Sequence, residues 1–258
     1  MISLGLASHN FKFQVASDIN VEHNQYLPES NIKSQNYLDK LSIWTQENLM
    51  KLNADKSKYM VVNFTESFRF NARLSLEGKT LEEVNETRLL GVVINNKLTW
   101  NSNTENIVKK AYKRMMILHN LFQFGLPVEE MVNIYVLYIR SILETSAVVW
   151  HSSITKKERM EIERVQKVAI RIILGNDYEN YPAALEITGL STLDDRRKGL
   201  CKQFAKNCTK NPKMYQLFPL NKISKNTRNP EKYFVTPAST DRLAKSAIPY
   251  VQRLLNEQ

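Results

Sequence analysis

Between Ser102 and Gly175 apolar side chains recur at helical spacing three times in succession, and this limits the possible folds more than any other feature of the chain. Ile107, Ala111, Met115, Leu118 and Phe122 mark one face of a first helix. Met131, Ile134, Tyr135, Tyr138, Ile142 and Leu143 fill a second over about 128–149, with few charges, and Ile162, Val165, Ala169 and Ile172 line a third. Residues three and four apart share a helix face, so each segment has a stripe to bury. Ser102-Asn-Thr-Glu105 and Thr155-Lys-Lys-Glu158 have the form of a capping box, in which each end satisfies an orphan N–H of the other. Gly125 and Gly175 supply stops, and Pro127 suits the first turn of the second helix. Short connectors between three such helices predict an up-down bundle over 101–176.

Upstream the period differs. Residues 1–36 read as an irregular leader that should be poorly ordered, with a turn-rich tract at 22–31. Tyr37, Leu41, Trp44 and Asn48 fall at helical spacing and predict an amphipathic helix over 36–50. A polar connector, Leu52 to Lys58, leads into four strand candidates: 59–64, Phe68–Leu76, Thr80–Glu83 and Leu89–Ile94, with a turn at Glu77-Gly78-Lys79. Residues 37–100 should therefore hold one helix and a small antiparallel sheet. After the bundle, 177–258 should carry short helices near Tyr181–Gly189, Thr192–Asn211 and Asp241–Asn256 among loops. The expected class is α+β, mostly α.

Composition excludes several chemistries. The seven glycines are nowhere closer than ten residues, so no loop can cradle a phosphate in Walker or Rossmann fashion. Four histidines and two cysteines show no zinc spacing, and Cys201 and Cys208 read as reduced core thiols of an intracellular protein. No apolar run approaches bilayer length, and the start lacks the marks of a signal peptide; a soluble protein of nucleus or cytoplasm, with no membrane partner, is expected. The net charge of +10 is unevenly placed. Residues 1–195 hold 22 basic and 23 acidic side chains, whereas 196–258 hold 14 basic and only three acidic ones. A net +11 in the last quarter points to a polyanionic partner, nucleic acid first.

A series of motifs in a particular order follows from the same reading. Leu38-Asp-Lys-Leu41-x-x-Trp44, then Leu52-Asn53-x-x-Lys56-Ser57, then a hydrophobic strand and Leu89-Leu90-Gly91-Val92-x-Ile94-x-x-x-Leu98-x-Trp100 resembles the later half of a reverse transcriptase. Ile134-Tyr-x-Leu-Tyr138-Ile-Arg-Ser-Ile-Leu, Val149-Trp150, Glu163-Arg-Val-Gln166-x-x-Ala169 and Ile172-Ile-Leu-Gly175 continue the likeness. The nearest resemblance is to enzymes of non-LTR, LINE or jockey-like retrotransposons, over roughly residues 37–176. It implies the end of a palm at 37–100, a thumb at 101–176 and a basic C-terminal region.

By that resemblance Lys56 stands where a palm lysine can act as general acid toward departing pyrophosphate. Leu90 and Gly91 would form the primer grip. Lys109, Lys110, Lys113 and Arg114 on the first bundle helix, with Lys157, Arg164, Lys167 and Arg171 on the third, would lie along an RNA–DNA template–primer duplex, touching phosphates without reading bases. The enzymes of this family hold two Mg²⁺ on palm carboxylates, two of them in a Tyr- or Phe-x-Asp-Asp turn just ahead of the segment seen here. Nothing from Met1 to Asn36 offers that turn, and the sole Asp-Asp pair, Asp194-Asp195, reads as first-turn acids of a helix. The resemblance thus implies a fragment that keeps template–primer-binding parts, holds no cofactor or metal and cannot polymerise alone; a non-catalytic nucleic-acid-binding or helical interaction module is the alternative. Oligomeric state is open.

Overall fold

The computed structural model describes residues 2–6, 12–16, 27–62, 64, 73–211, 214, 217–221 and 232–257. Two compact units emerge, 1–89 with 93–99, and 90–92 with 100–258. The class is α+β, mostly α, as the periodicities require.

In the first unit, β1 (Ile2–Leu6) and β2 (Lys12–Ala16) pair antiparallel where the sequence suggested an irregular leader. Ile2-Ser-Leu-Gly-Leu6 and Lys12-Phe-Gln-Val-Ala16 do alternate apolar with small or polar residues, and this period of two escapes notice because each run is so short. Helix α1 (Leu27–Glu47) starts well before residue 36 and ends at Glu47. Its inward face is Leu38, Leu41 and Thr45, one position off the Tyr37–Trp44 line, and both aromatics are exposed. A 3₁₀ turn at Ala54–Lys56 leads to β3 (Lys58–Met60), followed by β4 (Ser75–Leu76), β5 (Lys79–Thr80) and β6 (Glu82–Glu83). Most of the Phe68–Leu76 candidate lies outside the described residues. The sheet order is β2-β1-β3-β6, and β3 pairs parallel with β6, so the sheet is mixed rather than antiparallel throughout. Leu38, Leu52, Tyr59, Leu74, Leu76 and Leu81 form the core of this unit. Gln35 ties it together: its Nε2 donates to the Ser75 carbonyl and its Oε1 accepts from the Ser75 N–H, both at 2.9 Å.

The candidate strand 89–94 is a hairpin. Strands β7 (Glu86–Leu89) and β8 (Val92–Asn95) flank Leu90 and Gly91, with φ of +50° and +90°, the two positive values that suit a tight turn between twisted strands.

In the second unit α2 (Asn101–Gln123) packs along α6 (Lys156–Leu174). Between them in sequence run α3 (Val128–Ile134), a π-helical stretch at Tyr135–Arg140, and α4 (Ser141–Glu144). These cross α2 and complete the bundle. The capping box at Thr155 and Glu158 forms in full, whereas the one at Ser102 and Glu105 does not. Helix α2 begins two residues earlier than a Ser102 cap would place it, after Trp100, so Ser102 already has a helical neighbour behind it and cannot serve as a cap. Asn95 organises the approach, accepting from the Thr99 N–H at 2.9 Å.

Val128–Trp150 has the length and composition to cross a membrane, contrary to the expectation from apolar runs. The fold breaks it at Thr145 and at Ser146, which has φ +53°, before the short α5 (Ala147–Trp150). Met131, Tyr135, Ile139 and Leu143 face the bundle interior. Beyond α6 come α7 (Tyr181–Thr188), α8 (Leu193–Lys210), α9 (Asp241–Ala244) and α10 (Ala247–Asn256). The C-terminal region forms a core of its own, with Ala205, Cys208, Phe218, Val251 and Leu255 buried together. The breakers at 226–230 lie outside the described residues.

Gly175 ends α6 at φ +54°, ψ −119°, the mirror image of an extended conformation. A Cβ there would lie 2.6 Å from the Phe122 ring of α2. Gly189 ends α7 at φ +64° with open space around it. Gly175→Ala should therefore lose about 2–4 kcal/mol of stability, strain and collision together, against about 1 kcal/mol for Gly189→Ala. Urea titrations of the two variants check the ranking.

Candidate nucleic-acid interface

The outward face of α2 carries the first set of cations. Ile107, Ala111, Met115 and Leu118 turn inward, so Lys109 and Lys113, near the opposite side of the helix, stand exposed one turn apart. Neither forms an ion pair among the described residues. Arg114 reaches across to the π-helical stretch, where its Nη1 donates to the Tyr138 carbonyl at 2.7 Å. A π turn leaves the carbonyl ladder imperfectly matched, and the guanidinium fills that gap. Glu105, one turn before Lys109, dilutes the patch.

On α6, burial of Ile162, Val165, Gln166, Ala169 and Ile173 puts Lys157, Arg164, Lys167 and Arg171 on the outer face. Three of the four are engaged within the chain. Lys157 lies 3.8 Å from Glu161, Lys167 sits 4.9 Å from the centre of the Tyr181 ring, and the Arg171 guanidinium 5.0 Å from that of Tyr178. Cation–π contacts hold the charge in place without cancelling it. The sequence-predicted cations therefore form two faces on helices packed against each other, not one stripe.

The basic C-terminal quarter is less open than its charge suggests. Arg196 binds Glu144 at 3.0 Å, Lys198 and Lys202 approach Glu257, and Lys245 binds Asp241. Arg197 is 0% exposed. Its Nε donates to His151 Nδ1 at 3.3 Å, its guanidinium lies over the Trp150 ring, and Asp194 is 3.7 Å away. Charge counting cannot tell such a core arginine from a phosphate ligand. His151 is buried beside it, and Arg159 donates to the His151 carbonyl. Burial first, then the Arg197 and Arg159 charges, push the imidazole pKa down from 6.5 to about 4.

Asp194 and Asp195 sit in the first turn of α8, whose cap is Thr192. Thr192 Oγ1 accepts from the Asp195 N–H at 3.2 Å, and Asp194 binds Arg159 at 2.7 Å. The motif residues Glu163 and Gln166 are also structural. Gln166 accepts from the Tyr135 hydroxyl at 2.8 Å and donates to the Tyr181 hydroxyl and the Ser191 carbonyl, each at 2.9 Å. Glu163 accepts from the Tyr181 hydroxyl and from the Leu193 N–H at 3.0 Å, capping α8. Burial raises the Tyr135 and Tyr181 hydroxyls well above their ordinary range, so both remain donors.

Lys56 lies in the 3₁₀ turn, exposed, its N–H held by Asn53 Oδ1 at 3.1 Å. A cleft of about 400 Å³ lies beside it, lined by Lys51, Leu52, Asn53, Ala54, Asp55, Glu77 and Lys79 but not by Lys56. Lys79 and Asp55 pair across this cleft at 2.9 Å. Leu90, at the hairpin tip, is 70% exposed, and among the described residues nothing beyond its chain neighbours lies within 4 Å of a Cβ placed on Gly91. Among the described residues no group of histidine, cysteine, aspartate or glutamate could hold a metal ion. Lys56 belongs to the first unit, and the Leu90-Gly91 tip and the helical cations to the second. Two exposed tyrosines escape the sequence reading: Tyr138, whose helical spacing reads as core, and Tyr112, which lies off the apolar stripe of α2 and gives no signal of its own.

No family model matches the chain. No curated protein and no solved structure is similar to it either.

Because the folded-state pKa of His151 is depressed, its contribution to stability is complete above about pH 6.5 and is lost as pH falls through about 4. Protonation would also place an N–H against the Arg197 donor. Urea midpoints between these pH values should fall more steeply for the natural protein than for His151→Gln, by on the order of 2–3 kcal/mol over the window.

Proposed function

We propose that the chain is a nucleic-acid-binding piece of a reverse transcriptase of the non-LTR retrotransposon type, without polymerase chemistry of its own. The observation that carries this reading is the pair of outward cationic faces on α2 and α6. Lys109, Lys113 and Arg164 are exposed there, and Lys167 and Arg171 are held by tyrosine rings. Cations along a rigid helix, rising about 1.5 Å per residue, suit phosphates in sequence-independent contact.

The order of elements supports the family reading. A helix, an Asn53–Lys56 turn, a strand, a tight Leu90-Gly91 hairpin and a bundle follow one another as the motifs imply. Residues 7–11, which link β1 to β2, contain no acidic side chain, and neither does any other segment ahead of α1 supply an Asp-Asp turn. Two-metal phosphoryl transfer needs clustered carboxylates, which is why this reading separates binding from catalysis and assigns Mg²⁺ to the intact family enzyme alone. Lys56 could at most donate a proton in a site assembled with carboxylates from elsewhere. The buried thiols Cys201 and Cys208 suit a reducing setting, nucleus or cytoplasm.

The test uses the full chain and a labelled RNA–DNA hybrid duplex. Affinity should fall roughly 100-fold between about 50 and about 200 mM salt, as four phosphate contacts require. Arg164→Glu with Lys167→Glu on α6 should flatten that slope. Binding that is absent at low salt, or indifferent to salt, rejects the reading. Primer extension with Mg²⁺ and a homopolymer template should give no incorporation; robust synthesis by the purified chain would show that the catalytic half of the proposal is wrong.

A further inference from the structure

The two cationic faces differ in one respect that points to a ligand. On α6 the nearby aromatic rings are covered by the chain itself, Tyr181 by Lys167 and Tyr178 by Arg171. On the α2 side two rings are open. Tyr112 is 38% exposed and Tyr138 is 52% exposed, and neither takes part in a hydrogen bond of its hydroxyl or a ring contact among the described residues. Their positions are related through α2. Tyr112 stands three residues after Lys109 and next to Lys113, at one edge of the outward face. On the other side of α2, the Arg114 guanidinium donates to the Tyr138 carbonyl at 2.7 Å, which holds the backbone of the π-helical stretch at Tyr138 against this helix.

The π-helical stretch accounts for this display. In Tyr135–Arg140 the chain takes wider turns than an α-helix, yet Tyr135 and Ile139 remain fully buried. The intervening Leu137 and Tyr138 are thereby left outside. A single widened turn is an uncommon feature that costs hydrogen-bond geometry, and Arg114 stabilises it from the neighbouring helix.

Open aromatic rings beside unpaired cations are what an unpaired nucleic-acid strand requires: bases stack on the rings, and the backbone runs past the ammonium groups. A duplex offers no free base faces to such rings. We infer that the outward side of α2, where Tyr112 lies beside Lys109 and Lys113, together with the exposed Tyr138 of the adjoining π-helical stretch, binds single-stranded nucleic acid. This rests on the nucleic-acid reading above and goes beyond it, since it gives the two helices different ligands: unpaired strand on α2, duplex phosphates on α6. Charge complementarity selects the polyanion, and the open rings select its unpaired form.

The test compares a labelled homothymidine oligonucleotide with a hybrid duplex, using the full chain at low salt. Tyr138→Ala and Tyr112→Ala should each weaken binding of the single strand by about 5- to 150-fold, the range found for the loss of one stacked base. Duplex affinity should change less than twofold, and Tyr138→Phe should retain single-strand affinity because the ring, not the hydroxyl, does the stacking. Unchanged far-ultraviolet circular dichroism of the variants excludes unfolding as the cause. If both alanine variants bind the single strand as the natural chain does, or lose duplex affinity equally, the inference is overturned while the broader binding reading stands. If the natural chain binds neither ligand at low salt, both fall. Loss of binding to anionic phosphatidylserine vesicles in Tyr138→Ala, with oligonucleotide binding intact, would make the surface a lipid-facing one and likewise overturn it.

Discussion

The second unit is held together around one side-chain amide. Gln166 is wholly buried, and both of its polar atoms are used: the carbonyl by Tyr135, the NH₂ by Tyr181 and the Ser191 backbone. Those partners lie in three different segments, so the position of each is set by a single group at the centre of α6. Glu163, one turn earlier, extends the arrangement to the N-terminus of α8. An unpaired buried amide is costly, on the order of 1–3 kcal/mol for each group left unsatisfied, so the segments are specified together or not at all. Apolar contacts supply most of the stability of the bundle, but they are tolerant of sliding. The hydrogen bonds of Gln166 are directional and remove that freedom.

This bears on what the sequence reveals. The helices of the bundle could be read from spacing because an amphipathic stripe is a local property, and the capping box at Thr155 is local too. Helix α8 and the acids in its first turn were legible for the same reason. The two short strands at the N-terminus were not, since five residues of alternation carry little signal. Nor was the parallel partnership of β3 with β6, which depends on chain reversal rather than on either strand alone. The π-helical stretch was hidden by its own composition. Tyr135, Tyr138, Ile142 and Leu143 fit an ordinary helix on paper, and only packing against α2 shows which of the two tyrosines is inside.

The candidate site divides in a similar way. Cations at helical spacing were identifiable, and Lys109, Lys113 and Arg164 do lie outside. Partners could not be identified, because an ion pair between Arg196 and Glu144 joins residues far apart in sequence. The +11 of the last quarter is therefore a poor guide to surface potential. One of its arginines is a core residue wedged against a tryptophan and a histidine, and several of its lysines face acids. The cationic faces that remain open belong to the part of the chain whose formal charge is near neutral.

One device recurs in both units. Gln35 holds Ser75 through both of its amide groups, and near the C-terminus Asn256 does the same for Tyr233, accepting from its N–H and donating to its carbonyl, each at 2.9 Å. A carboxamide presents a donor and an acceptor side by side, as a neighbouring backbone would. It can therefore stand in for one residue of an adjacent strand. An extended segment docked in this way has its register fixed on one side by a helix, while a partner segment pairs on the other, Thr80 opposite Ser75 and Leu220 opposite Tyr233. Where that substitution operates, the second edge of a two-stranded pair is filled at a point otherwise open to pairing with another molecule. The two amides thus act as stoppers as well as fasteners.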